Sequence, residues 1–336
     1  MKEVELGIVG CGAVVSTVYV PALRLTTGIR VKAVVDTDLG RARSIGSVLG
    51  ADVVSSDFRD CIGKVDGVVL ALPHYLHSRF SREFLNEGTS VLVEKPLALS
   101  VQEAQGAIAA ARKTGASLAV GFVRRFYNSS RLVKNSIEKA EIGTVLGFDA
   151  EEGSPYGWPT ESGFFFNKEQ AGGGVLVDTG SHVLDLLSWW LAPSFTIDEY
   201  KDDNLGGVEA NCVMHLTFHT KSGNVRGRVE LSRDRELRNT YLIYGTEGSI
   251  EYSPHSTEDI TISRKENRTC TKRQLVPSGY KKLRYFATQL TDFRDVLRSK
   301  KTPFVSGEEG LRSLSIIEAA YSKKQLMDLE WVRGTT

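Results

Sequence analysis

The chain has 336 residues, 41% hydrophobic and 25% charged, the proportions of an ordinary soluble globular protein with room for about two domains. Lys plus Arg number 42 against 41 Asp plus Glu, so no long-range field draws it to nucleic acid or to an anionic membrane, and a small neutral or modestly charged ligand fits better. Its 4 cysteines stand singly without metal-finger spacing, there is no apolar run of about 18 residues, and the first residues enter a strand-like run without a leader pattern; together these predict a cytoplasmic protein that binds no metal.

Residues 4–9, VELGIV, predict a strand that stops at Gly10, and Gly10-Cys11-Gly12-Ala13-Val14-Val15 then leads into a helix. Strand, glycine turn and helix in that order let the backbone of Gly10, Gly12, Ala13 and Val14 approach a pyrophosphate, whose charge the helix N-terminus meets. Val15 departs from the glycine or alanine of the usual third position, where helix and strand pack closely. A second predicted strand, Ile29–Val35, ends at Asp36, near the distance expected of an acid that binds a ribose 2′-hydroxyl. An aspartate there repels a 2′-phosphate, which favours NAD over NADP, although Arg41 and Arg43 blur the preference and NADP is not excluded. An Asp ending a strand also simply starts turns; the preceding glycines favour the binding role.

Helix and strand patterns then alternate: helix 39–49, strand 67–72, helix 78–86, strand 90–93, helix 101–113 and strand 117–122. Such alternation predicts a doubly wound parallel sheet over residues 1–122, whose ligands bind beyond the carboxyl ends of the strands. Three features fall at that end. They are the glycine turn, Pro73-His74-Tyr75-Leu76-His77, and Glu94-Lys95-Pro96. Pro73, His74, His77, Glu94 and Lys95 are accordingly candidate cofactor contacts. Lysines at strand ends are commonly solvated, but Lys95 follows a buried strand directly and its backbone is restricted by the next proline.

From about residue 123 the pattern changes, which marks a second domain over 123–336. A helix is predicted at 128–140 and a strand at 145–151, followed by a polar and aromatic loop carrying Tyr156 and Trp158. Arg124 and Arg125 end the last strand of the first domain, and Arg124, Tyr156 and Trp158 are candidate substrate contacts, with core or interface packing the competing reading of the aromatics. Alternating runs at 208–220, 224–231, 240–244, 249–252 and 260–263 predict a largely antiparallel meander, and helices at 280–299 and 308–329 close the chain. In the first run Cys212, Met214, Leu216 and Phe218 share one face, while Val213, His215, Thr217 and His219 form a mixed outer face suited to a subunit interface.

Between loop and meander lies GGGVLVDTGSHVLDLLSWW, residues 172–190, which reads as a flexible glycine hinge and one helix. At about 100° per residue, Leu176, Thr179, Val183, Leu186, Leu187 and Trp190 share an arc, with Asp178, His182 and Asp185 opposite. A carboxylate and an imidazole four residues apart can touch, though a solvated polar stripe has the same spacing.

With these residues in place, the chain resembles the Gfo/Idh/MocA family, the glucose-fructose oxidoreductase and inositol dehydrogenase group, over essentially its full length. The resemblance rests on GIVGCGAVVSTVYVPAL, LALPHYLHSRF, VLVEKPLALS, GGGVLVDTGSHVLDLL, YGTEGSIEY and VSGEEGLRSLSIIEAAY. It implies an α/β fold: an N-terminal Rossmann doubly wound parallel sheet, then a C-terminal α/β domain with an open, mainly antiparallel sheet used for homo-oligomers, dimer or tetramer. It also implies an NAD(P)-dependent oxidoreductase acting on a secondary alcohol or ketone of a sugar, sugar derivative or cyclitol. Lys95, Asp178 and His182 would then be catalytic, with a Lys95-Pro96 bond that is frequently cis; His74 departs from the Asn common in relatives. The same fold also serves NAD-dependent glycosidases and a non-catalytic NAD-binding regulator. The regulator reading predicts loss of one of the three catalytic positions, and all three are present.

Overall fold

The computed structural model describes residues 3–158, 162–264, 268–273 and 281–328. By internal contacts, described residues 3–123, 162–164 and 281–314 form one compact unit, and 124–158, 165–264, 268–273 and 315–328 another.

In the first unit β1 (Val4–Val9) passes through a turn to α1 (Val20–Arg24), followed by β2 (Ile29–Val35), α2 (Leu39–Leu49), β3 (Val53–Ser55), β4 (Gly67–Leu70), α3 (His74–Asn86), β5 (Ser90–Val93), α4 (Val101–Thr114) and β6 (Leu118–Val120). Their sheet has the order β3-β2-β1-β4-β5-β6, every pair parallel. This is the doubly wound sheet that the alternation predicts. Strands β1 and β4 are neighbours although three crossovers separate them, so the topology switches between their carboxyl ends, where Gly10 begins one loop and Ala71 to Pro73 form the other. The helices start where local chemistry allows: Asp38 accepts from the amides of Gly40 and Arg41 at the head of α2, and Ser100 from Glu103 at the head of α4. α3 starts four residues earlier than predicted, at His74, immediately after Pro73.

The second unit contains α5 (Asn128–Glu138), β7 (Val145–Gly153), α6 (Lys168–Ala171), α7 (Val175–Trp190), β8 (Phe195–Asp202), β9 (Asn211–Thr220), β10 (Gly223–Ser232), β11 (Thr240–Gly245), β12 (Gly248–Tyr252), β13 (Asp259–Arg264) and β14 (Arg268–Arg273). Next in the chain come α8 (Lys281–Ser299), which belongs to the first unit, α9 (Gly307–Ser322), whose residues are divided between the two, and a short β15 (Lys324–Leu326) of the second. Predicted positions 280 and 329, at the ends of the last two helices, lie outside the described residues. The strand order is β14-β13-β12-β11-β7-β10-β9-β8-β15. It is mainly antiparallel, but β7 with β10 and β8 with β15 run parallel, which a simple meander does not contain. Strand β8, FTIDEYKD, escapes the sequence reading because its outward positions are charged and its apolar positions few.

One face of this sheet carries the core. Met214, Leu216, Phe218, Val225, Val229, Leu231 and Ile243 pack with Val175, Leu176, Val183, Leu184, Leu186, Leu187 and Trp190 of α7 in one buried cluster. At roughly 1.5–3 kcal/mol for each fully buried large apolar side chain, this is the main force holding α7 to the sheet. The other face is polar and ion-paired, with Arg228 to Glu151, Arg238 to Asp149 and Glu151, Arg226 to Asp198, and His215 to Glu199. His219 there hydrogen-bonds Thr196 and Asn224.

Candidate active site

At the carboxyl end of the first sheet, Gly10 has φ +94, and a Cβ placed on it would stand 2.2 Å from the carbonyl oxygen of Ala71. Only glycine fits so close to the β4 exit. Gly12 differs: a Cβ there would meet no atom within 4 Å, so protein packing does not demand glycine. A backbone left bare without a steric need inside its own chain fits the approach of a dinucleotide pyrophosphate. The two glycines therefore predict opposite results. Gly10→Ala should cost more than about 1 kcal/mol of stability, whereas Gly12→Ala should keep the melting temperature and weaken NAD(H) binding, both read by thermal melts with and without NADH.

The amides of Val15 and Ser16 both donate to the Gly12 carbonyl, and the amide of Val20 reaches Val15, five residues back. This wider π turn accommodates Val15, which is fully buried, and resolves its departure from the usual small residue. Asp36 closes the turn from the side: its carboxylate accepts from the amide of Cys11 at 2.7 Å and of Asp38 at 2.8 Å. Arg41 lies 3.3 Å from Asp38 in an exposed pair.

The loop after β5 is braced on several sides. Tyr19 donates to Glu94 Oε1 at 2.6 Å and itself accepts from Gln289 of α8 at 3.2 Å, while the amide of Lys95 donates to Glu94 Oε2. Burial pushes the Glu94 carboxyl up, against the lowering effects of Tyr19 and Lys95. The Lys95-Pro96 bond is cis. His77 sits between carbonyls, with Nδ1 at 2.6 Å from Pro96 and Nε2 at 2.8 Å from Leu72. Two acceptors favour imidazolium, but burial dominates and lowers the pKa, so a neutral ring donates to one carbonyl and rests against the other. Both ring nitrogens are thereby taken up by the protein, which makes His77 a brace for the Lys95 loop rather than a polar contact to a cofactor. His74 is buried edge-on to Phe164, their ring centres 5.1 Å apart.

In the second unit, α7 is buried on almost every side; Asp178, Thr179 and His182 form one partly accessible strip, and Trp189 lies elsewhere. The solvated stripe that spacing alone allows is therefore not what the fold builds. Asp185, placed with that stripe by the helical wheel, is fully buried, and Thr179 takes the accessible place beside Asp178 instead. Asp185 meets Arg125, which donates from Nε at 2.9 Å and Nη2 at 2.7 Å, both side chains 1% exposed. Nor do the glycines before α7 form a flexible hinge. A Cβ on Gly173 would lie 2.0 Å from the Tyr321 hydroxyl, and one on Gly174 would lie 1.9 Å from the Glu209 carbonyl, so both glycines serve close packing.

Glu209 fixes the head of α7. Its Oε1 accepts from the amides of Gly174 and Leu176, at 2.8 and 3.0 Å, and from the Tyr321 hydroxyl at 2.8 Å. Burial nevertheless raises its carboxyl above the ordinary range, the hydrogen bonds only partly opposing the shift. A raised folded-state pKa means stability present at low pH and lost as pH rises through the folded value. Glu209→Gln keeps the acceptor and removes the titration. Its melting temperature relative to the parent is thus expected to improve from pH 5 to pH 8; a constant difference would remove the argument.

Arg124 lies apart from this strip. It forms a nearly buried two-pronged pair with Glu152, both contacts 2.7 Å, and Tyr241 donates to the same carboxylate. Burial works to raise the Glu152 pKa, but the Arg124 charge and hydrogen bonds hold it below the usual range. The guanidinium is thus occupied within its own unit, where its sequence position suggests a substrate contact. Tyr156 is brought to α7 instead: its amide donates to the Arg233 carbonyl at 2.7 Å, and the Arg233 guanidinium lies over its ring. Burial, then the Asp178 charge, pushes its phenol up to about 12. Trp158 is exposed. Arg233, 3.7 Å from Asp178, and Glu209 are missed by sequence reasoning. The available signal for Arg233 is its place just after a strand whose end faces the glycine-led helix.

The parallel sheet, its switch-point glycine turn and the acid closing β2 define a dinucleotide-binding enzyme. A family model described as "Oxidoreductase family, NAD-binding Rossmann fold" matches residues 4–122, and one described as "GFO/IDH/MocA C-terminal domain" matches residues 130–251. The chain belongs to the Gfo/Idh/MocA family of oxidoreductases. It is 26% identical to a scyllo-inositol 2-dehydrogenase (NAD(+)) of Bacillus subtilis, the alignment covering 95% of this chain and 93% of that one. Its identity to a 1,5-anhydro-D-fructose reductase of Ensifer adhaerens is 24%, over 92% of each. Among solved structures, a 3-ketoreductase from Actinomadura kijaniata, in complex with NADP and TDP-benzene, superposes with a TM-score of 0.83 over 97% of this chain and 99% of that one, at 21% identity. That last likeness concerns the fold. The chain is an oxidoreductase that uses a nicotinamide dinucleotide.

Proposed function

We propose that the protein interconverts a secondary alcohol and a ketone on a sugar, sugar derivative or cyclitol, with Lys95, Asp178 and His182 as its catalytic residues. The observation that carries this reading is the strip on α7: a helix buried almost all round leaves Asp178, Thr179 and His182 accessible, and tight packing holds them in place. The names of the two curated relatives, an inositol dehydrogenase and an anhydrofructose reductase, support the substrate class.

The nicotinamide, when bound, supplies the acceptor or donor of hydride at C4. The protein handles the proton and the oxygen. In oxidation His182 takes the carbinol proton, since imidazole, with a reference pKa of about 6.5, exchanges protons in both directions near neutrality. Lys95 donates a hydrogen bond to the reacting oxygen and stabilises negative charge as it develops. Asp178, one turn before His182, orients the imidazole or accepts from a neighbouring substrate hydroxyl. Gly10, Gly12, Ala13 and Val14 hold the pyrophosphate, and Asp36 takes the ribose hydroxyls, favouring NAD(H) without closing the site to NADP(H). We place the enzyme in the cytoplasm as a homo-oligomer joined through the polar face of the second sheet; light scattering on the purified chain tests the assembly.

The test of the activity is an NADH-coupled screen of sugars, sugar phosphates, nucleotide sugars and inositols in both directions. Turnover of at least one polyol or its ketone is expected. Tight NADH binding with no turnover across the panel, or aryl-glycoside hydrolysis without net NADH, would overturn the reading.

A further inference from the structure

Beside the accessible strip of α7, three buried hydrogen-bond donors converge. Arg233 follows β10 directly; its own amide donates to Ala210 and its carbonyl accepts from Tyr156, so the backbone is fixed on both sides. Its side chain is 9% exposed, with Nη2 3.7 Å from an Asp178 oxygen, a charge contact longer than a hydrogen bond. The guanidinium carbon lies 5.2 Å above the centre of the Tyr156 ring. Among the described residues, Nε and Nη1 of Arg233 and the hydroxyl of Tyr156 are buried without any hydrogen-bond partner.

Leaving a buried donor unused forfeits its hydration with nothing in return, and the loss is greater when the group is charged. Folded proteins keep few such groups, and those they keep call for a reason. Here three stand together, against the carboxylate that precedes His182 by one helical turn. Packing alone gives no reason for them, because an aliphatic side chain would fill the same volume at no polar cost. A bound molecule bearing oxygen acceptors supplies one.

The charges narrow the class. Asp178 offsets the Arg233 guanidinium beside it, so a carboxylate or phosphate placed against Arg233 meets a like charge on Asp178. Hydroxyl groups match better: each donates one hydrogen bond and accepts others, and here an acceptor lies beside several donors. Tyr156 adds a flat, partly apolar ring on one side.

We propose that Arg233, with Tyr156 and Asp178, is a specificity-determining residue that holds neutral hydroxyls of the substrate next to the reacting carbinol, and that it selects uncharged polyols over sugar acids and sugar phosphates. This rests on the reading of the site given above. It makes Arg233 a substrate-binding residue and leaves proton transfer to His182 and Lys95.

The experiment is equilibrium binding to the NADH-loaded protein, followed by cofactor fluorescence, with myo-inositol and glucose as neutral probes and glucuronate and glucose 6-phosphate as anionic ones. The parent chain, Arg233→Leu and Arg233→Lys are compared. At least one neutral probe is expected to bind more tightly than both anionic ones. Arg233→Leu should weaken it by about 10-fold or more, the loss of a hydrogen bond from a charged donor, and Arg233→Lys should restore part of the loss. NADH affinity should be the same in all three. In turnover the change should fall on KM more than on kcat. Tighter binding of glucuronate or glucose 6-phosphate, unchanged neutral binding in Arg233→Leu, or no neutral binding to the parent would each overturn the inference. If Arg233→Leu does not fold, the Lys variant decides: a neutral-probe affinity equal to the parent's overturns it. Polyol binding without any NADH formation would instead count against the hydride-transfer reading, so the two failures are distinct.

Discussion

Replacing Asp185 with alanine is expected to destabilise the second unit by about 3–5 kcal/mol, enough to lower the melting temperature on the order of 10 °C. The cost does not measure how favourable the Arg125–Asp185 pair is. Both side chains are 1% exposed, and removing the carboxylate takes the counter-charge from a buried guanidinium that cannot discard its proton. Two ions taken out of water barely recover their hydration cost from mutual attraction. Exchange of both members, Arg125→Met with Asp185→Leu, should therefore restore most of the loss, and the double mutant should melt well above either single one. If Asp185→Ala instead melts within about 1 kcal/mol of the parent, the pair is solvated and its buried description fails.

Lys95→Ala is expected to lower kcat by about 10²–10³-fold, the usual cost of removing a donor to a developing oxyanion. His182→Ala should lose about 10²-fold or more if the imidazole carries the proton. NADH binding separates chemistry from assembly of the nucleotide site: the loop that carries Lys95 is braced by the hydrogen bonds of Glu94 with Tyr19 and with the Lys95 amide, and of His77 with the Pro96 carbonyl. Both variants should therefore bind NADH like the parent. Near-parental turnover in His182→Ala would move proton transfer to Lys95, and near-parental turnover in both would remove the catalytic assignment altogether.

The nucleotide half was readable from the chain because its signals are local. A glycine turn after a short apolar run, an acid at the end of the next strand and alternating periods of two kinds need no knowledge of distant residues. The outline of the second sheet was readable for the same reason, as in the alternation of β9. What stayed hidden is non-local. Nothing around Asp185 announces that Arg125, sixty residues earlier, will neutralise it, and nothing in GVEAN shows that Glu209 will hold the head of α7. A helical wheel sorts side chains by direction but not by what lies there, so it grouped Asp185 with Asp178 and His182 and assigned Thr179 to the core. Arg124 and Arg125 adjoin in sequence yet enter two separate ion pairs, a division that only the folded chain determines.

Helix α7 is tied at both ends and in the middle. Glu209 holds its first turn, Arg125 its centre, and the Trp190 indole donates to the Ser130 carbonyl at 3.0 Å near its end. In hydrogen-exchange terms its amides belong with the slowest of the second unit, exchanging only when the whole unit opens. Tolerance of change is expected to follow the opposite gradient. Tyr156 and Trp158 lie in a loop with exposed neighbours, and such a segment tolerates insertion and replacement without disturbing a post fixed at three points. New substrates could then be recruited by remodelling that loop and the position after β10, while the proposed acid–base residues keep the same rigid mount.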